Sequence, residues 1–303
     1  MQRPPGVYEP VRPPRYERRR LRDLDHHLTR WGPVSEAPLV FLHGFLDVGE
    51  TFQFVVDRFA RDWPVLAPDW RGFGRSEATH RPYWFPDYLA DLDALLDAET
   101  AAPVTLIGHS MGGNVAGLYA GIRPERVAAL ITMEGIGLSR TTPDAAPARY
   151  RTWLDELKVP QRFGEYASTE EFAGRYVRNN PWVSPERAAF VASRWTQPRP
   201  GGGIGISADP AHKLVNPVLY RREEAEACWA RIQAPVLLIQ GERSPFPLRL
   251  GADASQDRLK QLFPRLEIAG IADAGHMMHH EQPQAVARVI EAFLHRHLGA
   301  AQG

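Results

Sequence analysis

The six residues Gly108-His109-Ser110-Met111-Gly112-Gly113 set a serine between glycines in the pattern G-x-S-x-G. A serine hydroxyl becomes a competent nucleophile when a base takes its proton and nearby donors hold the oxyanion it creates. Of the eleven histidines, His276 is the candidate base, within Ala274-Gly-His276-Met-Met-His-His-Glu281. Its neighbours His279 and His280 read as packing or hydrogen-bonding residues. The oxyanion donors are expected from the backbone N–H groups of Met111, just after the serine, and of Phe45, in Leu42-His43-Gly44-Phe45-Leu46. There Gly44 gives close access and His43 braces the loop. A third group, a carboxylate, must orient the histidine. Glu134, Glu242, Asp253 and Asp257 are the candidates.

These residues need a scaffold that brings distant segments to one edge. Short apolar runs recur, each closed by Gly, Asp or Glu: Leu39 to Leu42, Val65 to Ala67, Val104 to Ile107, Val127 to Met133, Val236 to Ile239 and Leu266 to Ala269. Continuous apolar strands suit a parallel sheet covered on both faces. Between them lie helical patterns. Leu89, Leu92 and Leu96 share a face after Pro86-Asp87, and Val286, Val289, Ile290 and Phe293 do so after Pro283. The alternation predicts an α/β fold with a mostly parallel, doubly wound sheet, whose ligands sit at the carboxyl ends of the strands. Ser110, Glu134 and His276 each follow such a strand.

Residues 1–19, with five prolines, read as a flexible arm. Residues from Leu21 to Trp31-Gly32 alternate as a first strand or hairpin. The rhythm stops between Ile136 and Ile232, where aromatic residues are frequent and Pro198 to Gly205 forms a turn-rich interruption. This predicts a core over 20–135 and 233–300 with a mainly helical cap, 136–232, inserted between its halves.

Composition excludes several classes. Lys and Arg total 36 and so do Asp and Glu, so no net field favours nucleic acid or an anionic bilayer. The single cysteine, Cys228, rules out an intrachain disulfide and reads as a small packing residue. No apolar run reaches the ~18 residues of a membrane span, and Met1 to Arg20 has no apolar leader core, so the cytoplasm is the expected location. Gly201 to Ile206 does not follow a strand as a phosphate-binding loop would. No cofactor or metal is expected, and the expected partner is a small molecule.

Taken in order, His43-Gly44, Asp69-Trp-Arg-Gly-Phe-Gly-Arg-Ser76, Gly108 to Gly113 and Gly275-His276 resemble the α/β-hydrolase family. More narrowly, the late cap and the histidine-rich end look like the serine hydrolase-like proteins. The resemblance spans roughly residues 20 to 298. It implies the α/β-hydrolase fold, an oxyanion hole and a cap over the site. It also exposes a departure. Most family members carry an aspartate where this chain has Ser244, in Gly241-Glu242-Arg243-Ser244-Pro245. Some relatives, including one type of haloalkane dehalogenase, instead place the acid at the end of the strand corresponding to Val127–Met133, which implies Glu134 here and leaves Glu242 as the alternative. A serine nucleophile separates this chain from the dehalogenases and epoxide hydrolases that use aspartate. The implied activity is hydrolysis of an ester or related acyl bond in a partly apolar substrate. C–C hydrolysis, thioester or lactone cleavage and perhydrolysis would use the same residues. A small-molecule receptor on the same fold is the non-enzymatic alternative.

Overall fold

A computed structural model describes residues 6–299. Its strands are β1 (Arg15–Leu21), β2 (Leu24–Trp31), β3 (Leu39–Leu42), β4 (Val65–Pro68), β5 (Val104–His109), β6 (Val127–Met133), β7 (Glu165–Tyr166), β8 (Thr196–Pro198), β9 (Ile204–Ile206), β10 (Val236–Gly241) and β11 (Leu266–Ile271). Eight form one sheet in the order β1-β2-β4-β3-β5-β6-β10-β11. Within it β2 alone runs against the others, antiparallel to both β1 and β4. The six strands from β4 to β11 are parallel. Every residue of β3, β4 and β5 is buried, the consequence of covering both faces.

Two apolar cores do the covering. On one face Leu92, Leu96, Val115, Ala116, Trp229 and Leu259 pack against Val40, Leu106 and Leu130. They come from the helices Phe85–Glu99, Met111–Ile122, Arg222–Trp229 and Gln256–Leu262. On the other face Val55, Val286, Ile290 and Phe293 pack against Phe41, Ile107 and Ile131. Pro283–Leu298 supplies part of that layer, and Val286, Ile290 and Phe293 of its predicted stripe are buried while Val289 is half-buried.

Between β6 and the helix Arg222–Trp229 the chain forms the cap. The helices Ala146–Glu156, Thr169–Asn179 and Pro185–Trp195 are joined by a three-stranded sheet in the order β7-β9-β8. Ser168 and Ser184 cap the latter two helices by accepting from Glu171 N and Arg187 N. The glycine-rich run after Pro198 is the turn of the β8–β9 hairpin. The period-2 signal of such two- and three-residue strands is too short to read from sequence.

Two expectations about boundaries differ from the structure. The segment expected as a flexible arm contains the start of β1, which pairs with β2 from Arg15. Ahead of it, Tyr8 Oη, Val11 N and Arg12 N donate to the Asp57 carboxylate at 2.8, 3.0 and 2.7 Å. Prolines prevent a helix there, but extended backbone still bonds through the residues between them. Residues 1–5 of that arm, and residue 300 of the expected core, lie outside the described residues. The helix Arg222–Trp229, expected within the cap, belongs to the sheet's cover. A Cβ at Gly121 would lie 1.9 Å from Cys228 O, so the small-residue face of Met111–Ile122 is the seat of that helix.

Candidate active site

Ser110 follows β5 and opens the helix Met111–Ile122 with φ 51° and ψ −114°. A non-glycine residue held there costs about 1–3 kcal/mol, and the surroundings fix it. Its N–H donates to Met133 O at 2.8 Å, and its carbonyl accepts from Asn114 N at 3.0 Å. The turn lifts the side chain off the sheet edge beside the N-terminus of the helix, whose dipole favours a developing negative charge.

Glu134, just past β6, also has positive φ, 55°. Its N–H donates to Ile239 O of β10 at 3.2 Å. The carboxylate is fully buried and accepts from His276 Nδ1 at 2.6 Å, Ser244 Oγ at 2.7 Å and Gly241 N at 3.0 Å. Three donors replace the water that an ionised group loses on burial. With Nδ1 engaged, His276 Nε2 has no partner among the described residues and is the nitrogen available to a serine proton. Phe246 stacks on the imidazole with centroids 5.1 Å apart.

The structure therefore brings Glu134 to His276 and keeps the other acids away. Glu242 is exposed, and its carboxylate lies over Gly270. Asp253 pairs with Arg140 and Arg222, and Asp257 is exposed. Ser244, standing where the family's usual aspartate would be, donates to the Glu134 carboxylate. No signal near Ser244 in the sequence marks that role.

The loop of residues 42–46 is packed against Ser110. A Cβ at Gly44 would lie 2.7 Å from His109 Nδ1 and 3.3 Å from Ser110 Cβ, so only glycine lets the loop come this close. His43 is buried; its Nδ1 meets Gly44 O at 2.8 Å and its Nε2 accepts from Trp70 N at 2.9 Å. Burial lowers its pKa to about 4, so the neutral ring acts as the loop's brace. The N–H groups of Phe45 and Met111 have no acceptor among the described residues.

Sequence reading missed Asp47 and His109. Asp47 is buried, and its Oδ1 accepts from Val48 N (2.8 Å), Thr51 Oγ1 (2.6 Å) and cap residue Trp195 Nε1 (2.8 Å). Its Oδ2 lies 3.1 Å from His279 Nε2 and 3.8 Å from His280 Nε2. His280 Nδ1 meets Tyr176 Oη of the cap at 2.6 Å. His279 and His280 are thus buried hydrogen-bonding residues. Asp47, His279 and His280 offer one donor atom each within 4.8 Å of one another. That separation would admit a metal ion, while hydrogen bonds already occupy both Asp47 oxygens. His109 Nε2 lies 2.8 Å from His276 O, and its ring is 4.3 Å from that of His279. Burial holds the His109 pKa well below its ordinary value.

With this geometry in hand, comparison with known proteins is decisive for the family. The model of the alpha/beta hydrolase fold family matches residues 37–283. The chain belongs to that family. Among similar proteins, a serine hydrolase-like protein of Danio rerio is 28% identical over 274 residues, covering 87% of this chain and 83% of its own. Esterase YbfF of Escherichia coli is 25% identical over 273 residues, covering 86% and 94%. Among solved structures, the thioesterase domain from the curacin biosynthetic pathway superposes with a TM-score of 0.82 at 25% identity, covering 92% of this chain and 99% of that one. This alpha/beta hydrolase has the enzymatic character of its family, and its inserted helical cap is part of the family architecture. Among the described residues no helix is long and apolar enough to cross a membrane.

Proposed function

We propose that the protein is a serine esterase in which Ser110 attacks the carbonyl carbon of a small, partly apolar ester. His276 Nε2 takes the hydroxyl proton as the Oγ–C bond forms, and Glu134 holds the resulting imidazolium through Nδ1. The Phe45 and Met111 N–H groups receive the oxyanion. As the tetrahedral intermediate collapses, the ester C–O bond breaks and the alcohol leaves with the proton from His276. Water then attacks the acyl-enzyme, giving up a proton to His276. Cleavage of the Oγ–C bond, with His276 returning that proton to Oγ, releases the carboxylic acid and restores Ser110.

The observation that carries this reading is the 2.6 Å bond from His276 Nδ1 to a carboxylate that is fully buried. It supports the tautomer that leaves Nε2 for the serine. The names of the relatives, an esterase and a thioesterase domain, support acyl transfer to water. A thioester would use the same groups, with sulfur in place of the leaving oxygen. We place the reaction in the cytoplasm on the strength of the single cysteine, Cys228.

Labelling with a fluorophosphonate probe, beside turnover of aryl acetates, tests the reading. The wild type is expected to label and turn over, and Ser110→Ala to do neither. Labelling retained in Ser110→Ala would move the nucleophile elsewhere, and an inert wild type would favour the receptor alternative.

A further inference from the structure

A segment of the cap, Ser207 to Lys213, clasps the core loop that follows β4. In it Asp209 stands before a proline and opens a short 3-10 helix, Pro210–Lys213. Asp209 Oδ1 accepts from Ala211 N at 3.0 Å, while Oδ2 accepts from His80 N at 2.9 Å and from Tyr83 Oη at 3.0 Å. One carboxylate thus caps the turn and fastens it to the core. Backbone bonds complete the join, from Asp209 N to Gly72 O at 2.8 Å and from Gly74 N to Ser207 O at 2.7 Å.

The turn delivers the imidazole of His212 between two core rings. Its centroid lies 3.8 Å from that of Phe73 and 3.6 Å from that of Tyr83, with interplanar angles of 14° and 20°. Gly72 makes the room. Its φ is 71°, and a Cβ there would lie 2.0 Å from Tyr83 Oη and 2.7 Å from His212 Nε2. Tyr88 Oη meets His212 Nδ1 at 3.3 Å. Burial lowers the His212 pKa to about 4, so the ring is neutral near pH 7 and stacks as an aromatic.

The stack ends on the loop that carries Phe45. The Phe45 ring stands edge-on to His212 at 6.2 Å and to Phe73 at 5.6 Å, and Phe73 also meets His43 at 5.6 Å. Edge-to-face pairs of this kind fix the orientation of a ring. The loop needs such support because its next residue, Leu46, is held at φ 61°. A non-glycine residue stays in that region only where its surroundings over-determine it. Asp47 N holds one side of the turn through Gly44 O. On the other side, Phe73 and His212 are the ring partners of Phe45 among the described residues.

We propose that His212 is a positioning residue: the cap's imidazole, wedged against Phe73 and Phe45, holds the Phe45 N–H where the oxyanion forms. The oxyanion hole of the core is then completed from the cap. The proposal rests on the reading of Ser110 as the nucleophile and the Phe45 N–H as an oxyanion donor.

A small trifluoromethyl ketone, with no limb long enough to contact the Phe45 ring, measures the donor. Ser110 Oγ adds to its carbonyl carbon, the hydroxyl proton passes to His276, and the adduct's oxyanion takes the place of the ester's. His212→Ala is expected to weaken the inhibitor about ten-fold or more. It should lower kcat for an aryl acetate about ten- to hundred-fold, with KM changed less than about three-fold. Phe45→Leu keeps the N–H and removes the ring. It should weaken the inhibitor by a similar factor, and the double variant should lose little more than either single one. The Phe45 side chain is half exposed, so this variant tests the contact from the core side even where His212→Ala does not fold. Unchanged inhibitor affinity in either single variant, or full additivity in the double variant, overturns the positioning role. A loss in His212→Ala that falls on KM and leaves kcat intact overturns it as well. A wild type without Ser110-dependent binding of the ketone overturns the underlying esterase reading instead.

Discussion

A single oxygen of Glu134 serves two donors, His276 Nδ1 at 2.6 Å and Ser244 Oγ at 2.7 Å, while the other takes the Gly241 N–H. These bonds are charge-assisted and enclosed, so each is worth more than a surface hydrogen bond. Replacing Glu134 by Gln keeps the shape but removes the charge that stabilises the imidazolium in the proposed mechanism. The kcat of Glu134→Gln should fall about 10³- to 10⁴-fold, with circular dichroism unchanged. Near-normal turnover there, with loss in Glu242→Gln, would return the acid to the turn after β10. Ser244→Ala removes one donor and should lower kcat by roughly an order of magnitude, read from steady-state kinetics. The candidates Ser110 and His276 stand out in the sequence because their signals are local, a strand and a short motif. Glu134 could be preferred over Glu242 only through a family resemblance, because the donors that bond its carboxylate lie 107 and 110 positions away.

Asp47 ties together elements that have no chain connection near it. Its carboxylate bonds the turn after the oxyanion loop, the cap helix Pro185–Trp195 through Trp195, and the helix beyond His276 through His279. Asp47 N also donates to Gly44 O at 3.2 Å, so the anchor acts directly on the loop that presents the Phe45 N–H. Asp47→Asn keeps an acceptor but reverses the polarity of one side of this junction. It should lower kcat ten-fold or more, since small displacements of catalytic groups are amplified in rate. Trp195→Phe removes only the cap's bond and should raise KM while leaving kcat within a few-fold. Equal effects of the two variants on kcat and KM would mean that Asp47 supports the fold without positioning the site. At this scale the buried parallel strands were readable from their apolar runs. The β7-β9-β8 sheet, the docked N-terminal segment and the placement of Arg222–Trp229 were not. Each depends on a contact between distant segments, such as Gly121 against Cys228, and periodicity reports only a segment's own pattern.

Across the whole molecule the acids and bases balance, so pH sensitivity comes from where titrating groups are buried. Burial lowers His27, His43 and His212 to about 4. It also lowers His26, His109 and His280. In the unfolded chain each takes a proton below about pH 6.5; in the folded chain the first three resist until about pH 4. Between those values the unfolded state binds more protons, so stability is present above pH 6.5 and is lost as pH falls. One histidine contributes up to about 1.4 kcal/mol per pH unit. Asp69 has the opposite sign. Burial raises it to about 7, so between its unfolded value near 4 and that pH the folded state holds the extra proton and stability falls as pH rises. Glu281, also raised by burial, has the same sign as Asp69; the two acids offset two of the six histidines, and four remain unopposed. The thermal unfolding midpoint is therefore expected to drop steeply as pH is lowered from 6.5 to 5, with little change between 7 and 8. His27 lies on β2, where its ring stacks on Tyr16, far along the sheet from Ser110. His27→Gln should reduce the acid slope by about one proton, measured as the change in unfolding free energy per pH unit in urea titrations. A midpoint that stays flat from pH 7 to 5 would mean that these imidazoles are charged in the folded protein, against the burial that surrounds them.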